Sequence, residues 1–170
     1  MSKHTESMTE SMPASARAHL PTVCVIEDDE ALRDTLRMLL EEEGYPVVEA
    51  ADGLAGYRLL TETDQRLIAL VDHKMPQMDG CDLLERMEQD ATLRARHTYI
   101  MLSASPKQAD EDCGETLEEL EAPLVHKPFS IDEVLDAVAE AVQRLGAPSP
   151  LQVSQPDPSQ PKTRRRTPRL

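Results

Sequence analysis

Apolar residues fall in five short runs along the middle of the chain, and each run ends in a polar cluster. The runs are Val23 to Ile26, Val47-Val48, Ile68 to Val71, Tyr99 to Leu102 and Leu124-Val125. Continuous apolar runs of this length between turn signals read as buried strands. Between them the spacing becomes helical. Leu32, Leu36, Leu39 and Leu40 share one stripe that stops at Gly44, a residue suited to the position just past a helix end. Asp52 can cap a second helix that turns Ala55, Leu59 and Leu60 inward, and Leu83, Leu84 and Met87 mark a third after the Asp79-Gly80 turn. From Lys107 to Glu121 the chain is acidic, with Leu117 and Leu120 as its apolar pair and Gly114 interrupting it, which predicts a marginal or mobile helix. The last helix is the clearest. Ser130 and Glu133 form a capping box, Phe129 can staple onto Val134, and Ile131, Val134, Leu135, Val138, Val142 and Leu145 repeat along one face before Gly146.

Strands alternating with helices through short connections imply an α/β fold, a doubly wound, five-stranded parallel sheet with five helices. The folded domain is expected over residues 21–146. Residues 1–20 show no sustained period and are expected to be a disordered tail, as are the Pro/Ser/Gln-rich residues 147–170, which end in a basic cluster, Lys162, Arg164, Arg165, Arg166 and Arg169.

Aromatic residues are scarce, one Phe, three Tyr and no Trp, so the core must be aliphatic. Neither a signal-peptide pattern nor a membrane-length apolar segment is present, so a cytoplasmic protein without membrane insertion is the expectation. Cys24, Cys81 and Cys113 are few, odd in number and dispersed, which argues against a disulfide scaffold and against a metal-thiolate site. Charge is uneven: from Pro21 to Leu145 there are 29 acidic residues and 11 basic ones. That field repels nucleic acid, so direct DNA binding is not expected of the body, and the basic tail is left as a solvated terminus or a weak contact for an anionic surface.

In a doubly wound sheet, chemistry collects at the carboxyl ends of the strands. Here those ends deliver Glu27, Asp28 and Asp29, then Asp72, Ser103 and Lys127. Crowded carboxylates need a cation, and hard oxygen ligands suit Mg²⁺ rather than zinc. With a metal present, one carboxylate can attack a phosphoryl group while a lysine and a hydroxyl hold its oxygens. No glycine-rich phosphate loop or dinucleotide fingerprint is present.

These motifs resemble the receiver domain of two-component response regulators over roughly Pro21 to Leu145. V-C-V-I-E-D-D-E-A-L-R resembles the family's first strand and acidic pair, V-D-H-K-M-P-Q-M-D-G its phosphoacceptor loop, I-M-L-S-A the strand with its hydroxyl, and K-P-F the lysine segment. The resemblance implies a flavodoxin-like fold and phosphorylation of Asp72 by a sensor histidine kinase or a histidine phosphotransfer protein. It further implies Mg²⁺ held by Asp28, Asp72 and the Lys74 carbonyl, with Glu27 acting through water, and catalytic roles for Asp72, Ser103 and Lys127. Lys74 and Ser105 match positions that tune the phosphate lifetime. Such a domain catalyses its own phosphorylation and dephosphorylation rather than a metabolic reaction, and signals by protein contact as a monomer or weak dimer.

Two departures stand out. The family's switch aromatic, three residues before the lysine, is Leu124 here, and the segment between Ser103 and Lys127 is slightly long and lacks the usual Gly-Ala turn. Readout through the helix between strands four and five is one expectation, and ordinary signalling past a plain surface helix is the other. His73 is expected to point away from the cleft as part of the loop. The rival functions are a phosphorylation-independent binding module, which has no need of the intact Glu27, Asp28, Asp72, Ser103 and Lys127 set, and an aspartyl phosphatase, which would need an acid where Lys74 stands and a cap.

Overall fold

The computed structural model describes residues 20–146. The expected tails lie outside the described residues, apart from Leu20, which is buried against the core. Strand β1 (Thr22–Ile26) is followed by α1 (Glu30–Glu42), β2 (Val47–Ala50), α2 (Gly53–Glu62), β3 (Leu67–Asp72), α3 (Gly80–Gln89), α4 (Ala91–Arg96), β4 (Thr98–Ser103), α5 (Pro106–Glu119), β5 (Leu124–His126) and α6 (Ile131–Arg144). All strand pairs are parallel, in the order β2-β1-β3-β4-β5. The order reverses between β1 and β3, and the cleft beyond their carboxyl ends is where Ile26 and Asp72 hand over to polar residues.

Two apolar layers sandwich the sheet. On one side Leu36 and Leu40 of α1 and Val134, Val138, Ala141 and Val142 of α6 pack against Val23, Val25, Ile68, Leu70, Ile100 and Leu102. On the other, Leu60, Leu83, Leu84, Met87, Leu93 and Leu117 from α2 to α5 pack against Cys24, Ile26, Ala69, Val71 and Met101. Alternate strand residues supply the two layers, which is why β3 and β4 are apolar at nearly every position. Among the described residues no helix is long and apolar enough to cross a membrane.

The local signals act through identifiable bonds. After α1, Gly44 takes a φ of 92° and the chain closes a Schellman turn, with Tyr45 N–H donating to Leu40 O at 3.0 Å and Gly44 N–H to Glu41 O at 3.0 Å. Asp52 accepts from Ala55 N–H at 2.7 Å at the start of α2. Ser130 and Glu133 complete the capping box of α6, and Phe129 packs against the layer that contains Val134.

Three expectations are corrected. Five helices are expected and six form among the described residues: α4 is a single short helix, capped by Asp90 and anchored by buried Leu93, too brief to show a period. Ile131 is not on the inward face of α6 but 61% exposed, because the first turn projects beyond the edge of the sheet's cover. The cysteines are not all unpaired. Cys81 and Cys113 form a disulfide, with Cα atoms 5.6 Å apart across a separation of 32 residues, and Cys24 alone is free. A long gap in sequence says nothing about distance once α3 and α5 lie side by side on one face of the sheet.

Candidate functional site

The site grows from four strand ends, those of β1, β3, β4 and β5, and the loop after β3. β1 ends at Ile26, and the next three acids divide the work. Asp29 is the N-cap of α1, accepting from Leu32 N–H at 3.0 Å. Asp28 is exposed, and Glu27 is buried, accepting from Asp29 N–H at 3.1 Å. Asp72, the last residue of β3, is also buried. Oxygens of Glu27, Asp28 and Asp72 come within 4.8 Å of one another. Lys127, just past β5, reaches into this group with Nζ 2.7 Å from Glu27 Oε2 and 2.7 Å from Asp72 Oδ1. Its backbone is placed by a bond from Lys127 N–H to Ser103 O at 2.7 Å, which fixes the lysine to the neighbouring strand end.

The electrostatics are those of a site short of positive charge. Burial pushes the Glu27 and Asp72 carboxyls above their ordinary values. Lys127 opposes this for both, while the nearby carboxylates, Asp72 for Glu27 and Asp28 for Asp72, add to it. For Lys127, burial works against the charge, but the two carboxylates outweigh it and hold the proton more tightly. One ammonium cannot balance three carboxylates in a partly buried cleft, so the group is built to accept a further cation.

The loop from His73 to Asp79 is folded back over the strand end. Gly80 N–H donates to His73 O at 2.8 Å, and a Cβ on Gly80 would lie 2.4 Å from the Asp72 carbonyl oxygen. The Asp79-Gly80 pair is therefore needed for closeness: Asp79 caps α3 and Gly80 lets the helix start against the strand.

Ser103 ends β4 with no exposed surface. Its Oγ accepts from Ser105 N–H at 3.0 Å and lies 3.0 Å from His73 Nδ1. His73 Nε2 is in turn 3.2 Å from Asp112 Oδ2 on α5. With a neutral imidazole, Nε2–H donates to the Asp112 carboxylate and Nδ1 accepts the Ser103 proton. His73 is thus a buried connector between the β4 hydroxyl and α5. Lys74 Nζ also binds Asp112 Oδ2, at 2.8 Å, with Asp79 Oδ2 at 3.7 Å. Lys74 and Gln108 together hold the Asp112 carboxyl down at about 2.

The structure therefore brings Glu27, Asp28, Asp72 and Lys127 into one cluster and sets Ser103 at the adjoining strand end. The Lys74 side chain is bound to Asp112 and Asp79, and Ser105 stands at the N-cap of α5 without a side-chain capping bond. Asp112 and the connecting role of His73 escape a sequence reading, since the two residues are 39 apart and share no motif.

The sequence matches the response regulator receiver domain over residues 23–139. The chain belongs to the response regulator receiver family. Sporulation initiation phosphotransferase F of Bacillus subtilis is 34% identical over 119 residues, covering 68% of this chain and 89% of that protein. The transcriptional regulatory protein CseB of Streptomyces coelicolor is 32% identical over 124 residues, 73% of this chain and 50% of CseB. The chain spans about half the length of several such curated relatives. Among solved structures, the receiver domain of sensor histidine kinase PA1611 from Pseudomonas aeruginosa, with a magnesium ion coordinated in its active-site cleft, shares the fold. Its TM-score is 0.62 at 21% identity, over 73% of this chain and 98% of that one. The receiver fold, the acidic cluster and the buried ion pairs of Lys127 meet at the carboxyl edge of the sheet.

Proposed function

We propose that this receiver accepts a phosphoryl group on Asp72 from the phosphohistidine of a sensor histidine kinase or a histidine phosphotransfer protein, and signals by changing the surface it shows to a protein partner. The observation that carries the reading is the cluster itself. Asp72 is a buried carboxylate at a strand end, with oxygens of two further carboxylates within 4.8 Å and the Lys127 ammonium at 2.7 Å. The donor set is hard oxygen, which fits Mg²⁺, and the magnesium-bearing relative of the same fold supports that choice. Glu27, Asp28, Asp72 and the Lys74 carbonyl would hold the ion, which when bound supplies charge neutralisation and orients a phosphoryl oxygen.

The chain's own residues do the rest. Asp72 attacks in line as the nucleophile. Lys127, already resting between Glu27 and Asp72, keeps its ammonium on the acceptor and follows the charge that builds on the phosphoryl oxygens. The Ser103 hydroxyl donates its proton to another of those oxygens. Lys74 and Ser105 flank the phosphoryl group and set how readily water reaches it. To reach the phosphate, Ser103 must give up its bond to His73, so the event is felt at Asp112 and α5 without an aromatic at position 124. Soluble, cytoplasmic residence and contact with a kinase follow from this reading, and the acidic body makes protein a better target than DNA.

Intact mass after incubation with Mg²⁺ and acetyl phosphate tests it. One added phosphoryl group, absent from Asp72→Asn and absent without Mg²⁺, is the expected result. No adduct from several small phosphodonors and a histidine kinase would overturn it, and a binding module independent of phosphorylation would take its place.

A further inference from the structure

Helix α5 is joined to the domain by bonds that can be exchanged. Its N-terminal part is held by Asp112, which receives Lys74 and His73, and Ala109 is the buried apolar residue in that part. One residue beyond Asp112 comes the Cys81–Cys113 disulfide. At Cys113 the backbone leaves helical conformation, with φ −148° and ψ 31°, so α5 is two short helical segments joined at the cysteine. On the other side, Cys81 lies in the first turn of α3, beside Gly80, whose N–H is bonded to His73 O at 2.8 Å. The disulfide thus closes a small ring: the loop after Asp72 to Cys81, across the sulfurs to Cys113, and from Asp112 back to His73.

We propose that the Cys81–Cys113 pair is a reversible redox site, a second input that sets whether Asp112 is held against His73 and Lys74. Its influence on signalling rests on the phosphorylation reading above, but the thiol chemistry does not.

The three cysteines differ in a way that supports this. Cys24 is fully buried with no partner, and burial pushes its thiol up to about 12, which makes it inert. Cys81 and Cys113 keep a small exposed fraction, 6% and 5%, beside a break in a helix with few apolar anchors. Local opening there admits a thiolate. In a cytoplasmic receiver a disulfide is exceptional, and those that occur are mostly redox-sensing or catalytic. The reductant is a low-molecular-mass thiol or a protein dithiol. A reductant thiolate attacks one sulfur, the Cys81–Cys113 bond breaks as a mixed disulfide forms, and a second reductant thiolate displaces the remaining cysteine. Two electrons and two protons end on Cys81 and Cys113, and the reductant leaves as its own disulfide. A small-molecule disulfide reverses the exchange.

Once the bond is open, the first segment of α5 keeps its polar attachments and the small buried Ala109. Asp112 then leaves His73 more readily, and the path from Ser103 to α5 is weakened.

The test equilibrates the full chain in glutathione buffers of stepped oxidised-to-reduced ratio, traps free thiols by alkylation and counts them by intact mass. Amide exchange is followed in the same samples. The expected result is a two-thiol transition within the buffer series, with exchange over residues 106–119 rising at least about tenfold on reduction while α6 is unchanged. Cys113→Ser should show the reduced pattern in every buffer. A bond that stays closed at the most reducing ratio, or never forms at the most oxidising one, overturns the proposal. So does equal exchange in the two states, or a loss of protection shared by α5 and α6, which marks a permanent staple. Acetyl phosphate added to both states separates the two readings: absence of an adduct defeats phosphorylation at Asp72, whereas the redox site stands or falls on the thiol count and the exchange.

Discussion

Helices α5 and α6 are each fourteen residues long and flank the same short strand, yet they are attached by different physics. Helix α6 buries Val134, Ala137, Val138, Ala141 and Val142 on one stripe and starts from a complete capping box. Helix α5 buries Ala109, Cys113 and Leu117, has no side-chain cap at Ser105, and breaks at Cys113. What it lacks in apolar contact is replaced by Asp112 and by the disulfide. Apolar burial offers no bond to exchange, whereas a hydrogen bond can change partners and a disulfide can be reduced. The contrast separates a fixed wall of the domain from a movable one, and the movable helix is the one bonded to the loop beside Asp72.

The largest expected effect on this contrast comes from reduction. Opening a bond that spans 32 residues should lower stability to urea by about 3–4 kcal/mol if the reduced chain unfolds as one unit. Urea curves with and without reductant measure it, and a negligible shift would mean that α5 is already loose when oxidised. Next is the fixed wall. Val138→Ala removes a fully buried side chain from α6 and should cost about 2 kcal/mol. Asp112→Asn, by contrast, should leave the urea midpoint nearly unchanged and raise amide exchange over α5 alone. Equal behaviour of the two substitutions would erase the distinction between the helices. At the helix starts, Ser130→Ala should cost α6 about 1 kcal/mol, while Ser105→Ala should cost α5 no capping energy, since that bond is absent.

The smallest effect is a pH limb near the opposite ends of these helices, where His97 shares a cleft with Glu119 and Leu120, at the end of α5, and Arg144 of α6. His97 Nδ1 accepts from Leu67 N–H at 3.2 Å, and Nε2–H donates to Leu60 O at 2.9 Å. Burial lowers its affinity for a proton, and the nearby Arg96 and Arg66 charges act the same way. The unfolded chain therefore binds the proton more readily than the folded one. This contribution is complete above pH 6.5, the ordinary histidine value, and is lost as pH falls through that value to the lower folded one. Denaturation midpoints from pH 8 to 5 should show the fall, and His97→Gln should lack it.

Much of the sheet is legible from the chain, because an apolar run ending in a polar cluster carries its own meaning. Leu70-Val71-Asp72 and Leu102-Ser103 place a carboxylate and a hydroxyl at strand ends before any contact is known. Capping signals at Asp52 and Ser130 are equally local. Helix α4 is missed since six residues hold less than two turns, and Ile131 is misplaced since periodicity cannot show where the sheet's cover stops. Cys81 with Cys113, and His73 with Asp112, are invisible for another reason. Each pair joins elements that are adjacent in space through parallel crossovers, and no spacing rule connects them.

By itself the sequence determined the alternation of strands and helices, the acidic cluster with its lysine and hydroxyl, and the family those motifs resemble. These depend on short-range periodicity, on capping, and on the rule that strand ends in a doubly wound sheet converge. Only the tertiary structure decided that Lys127 bridges Glu27 and Asp72, that Lys74 and His73 meet on Asp112, and that α5 is held by a disulfide beside them. Those outcomes depend on how the helices pack over the sheet, which brings together residues far apart along the chain.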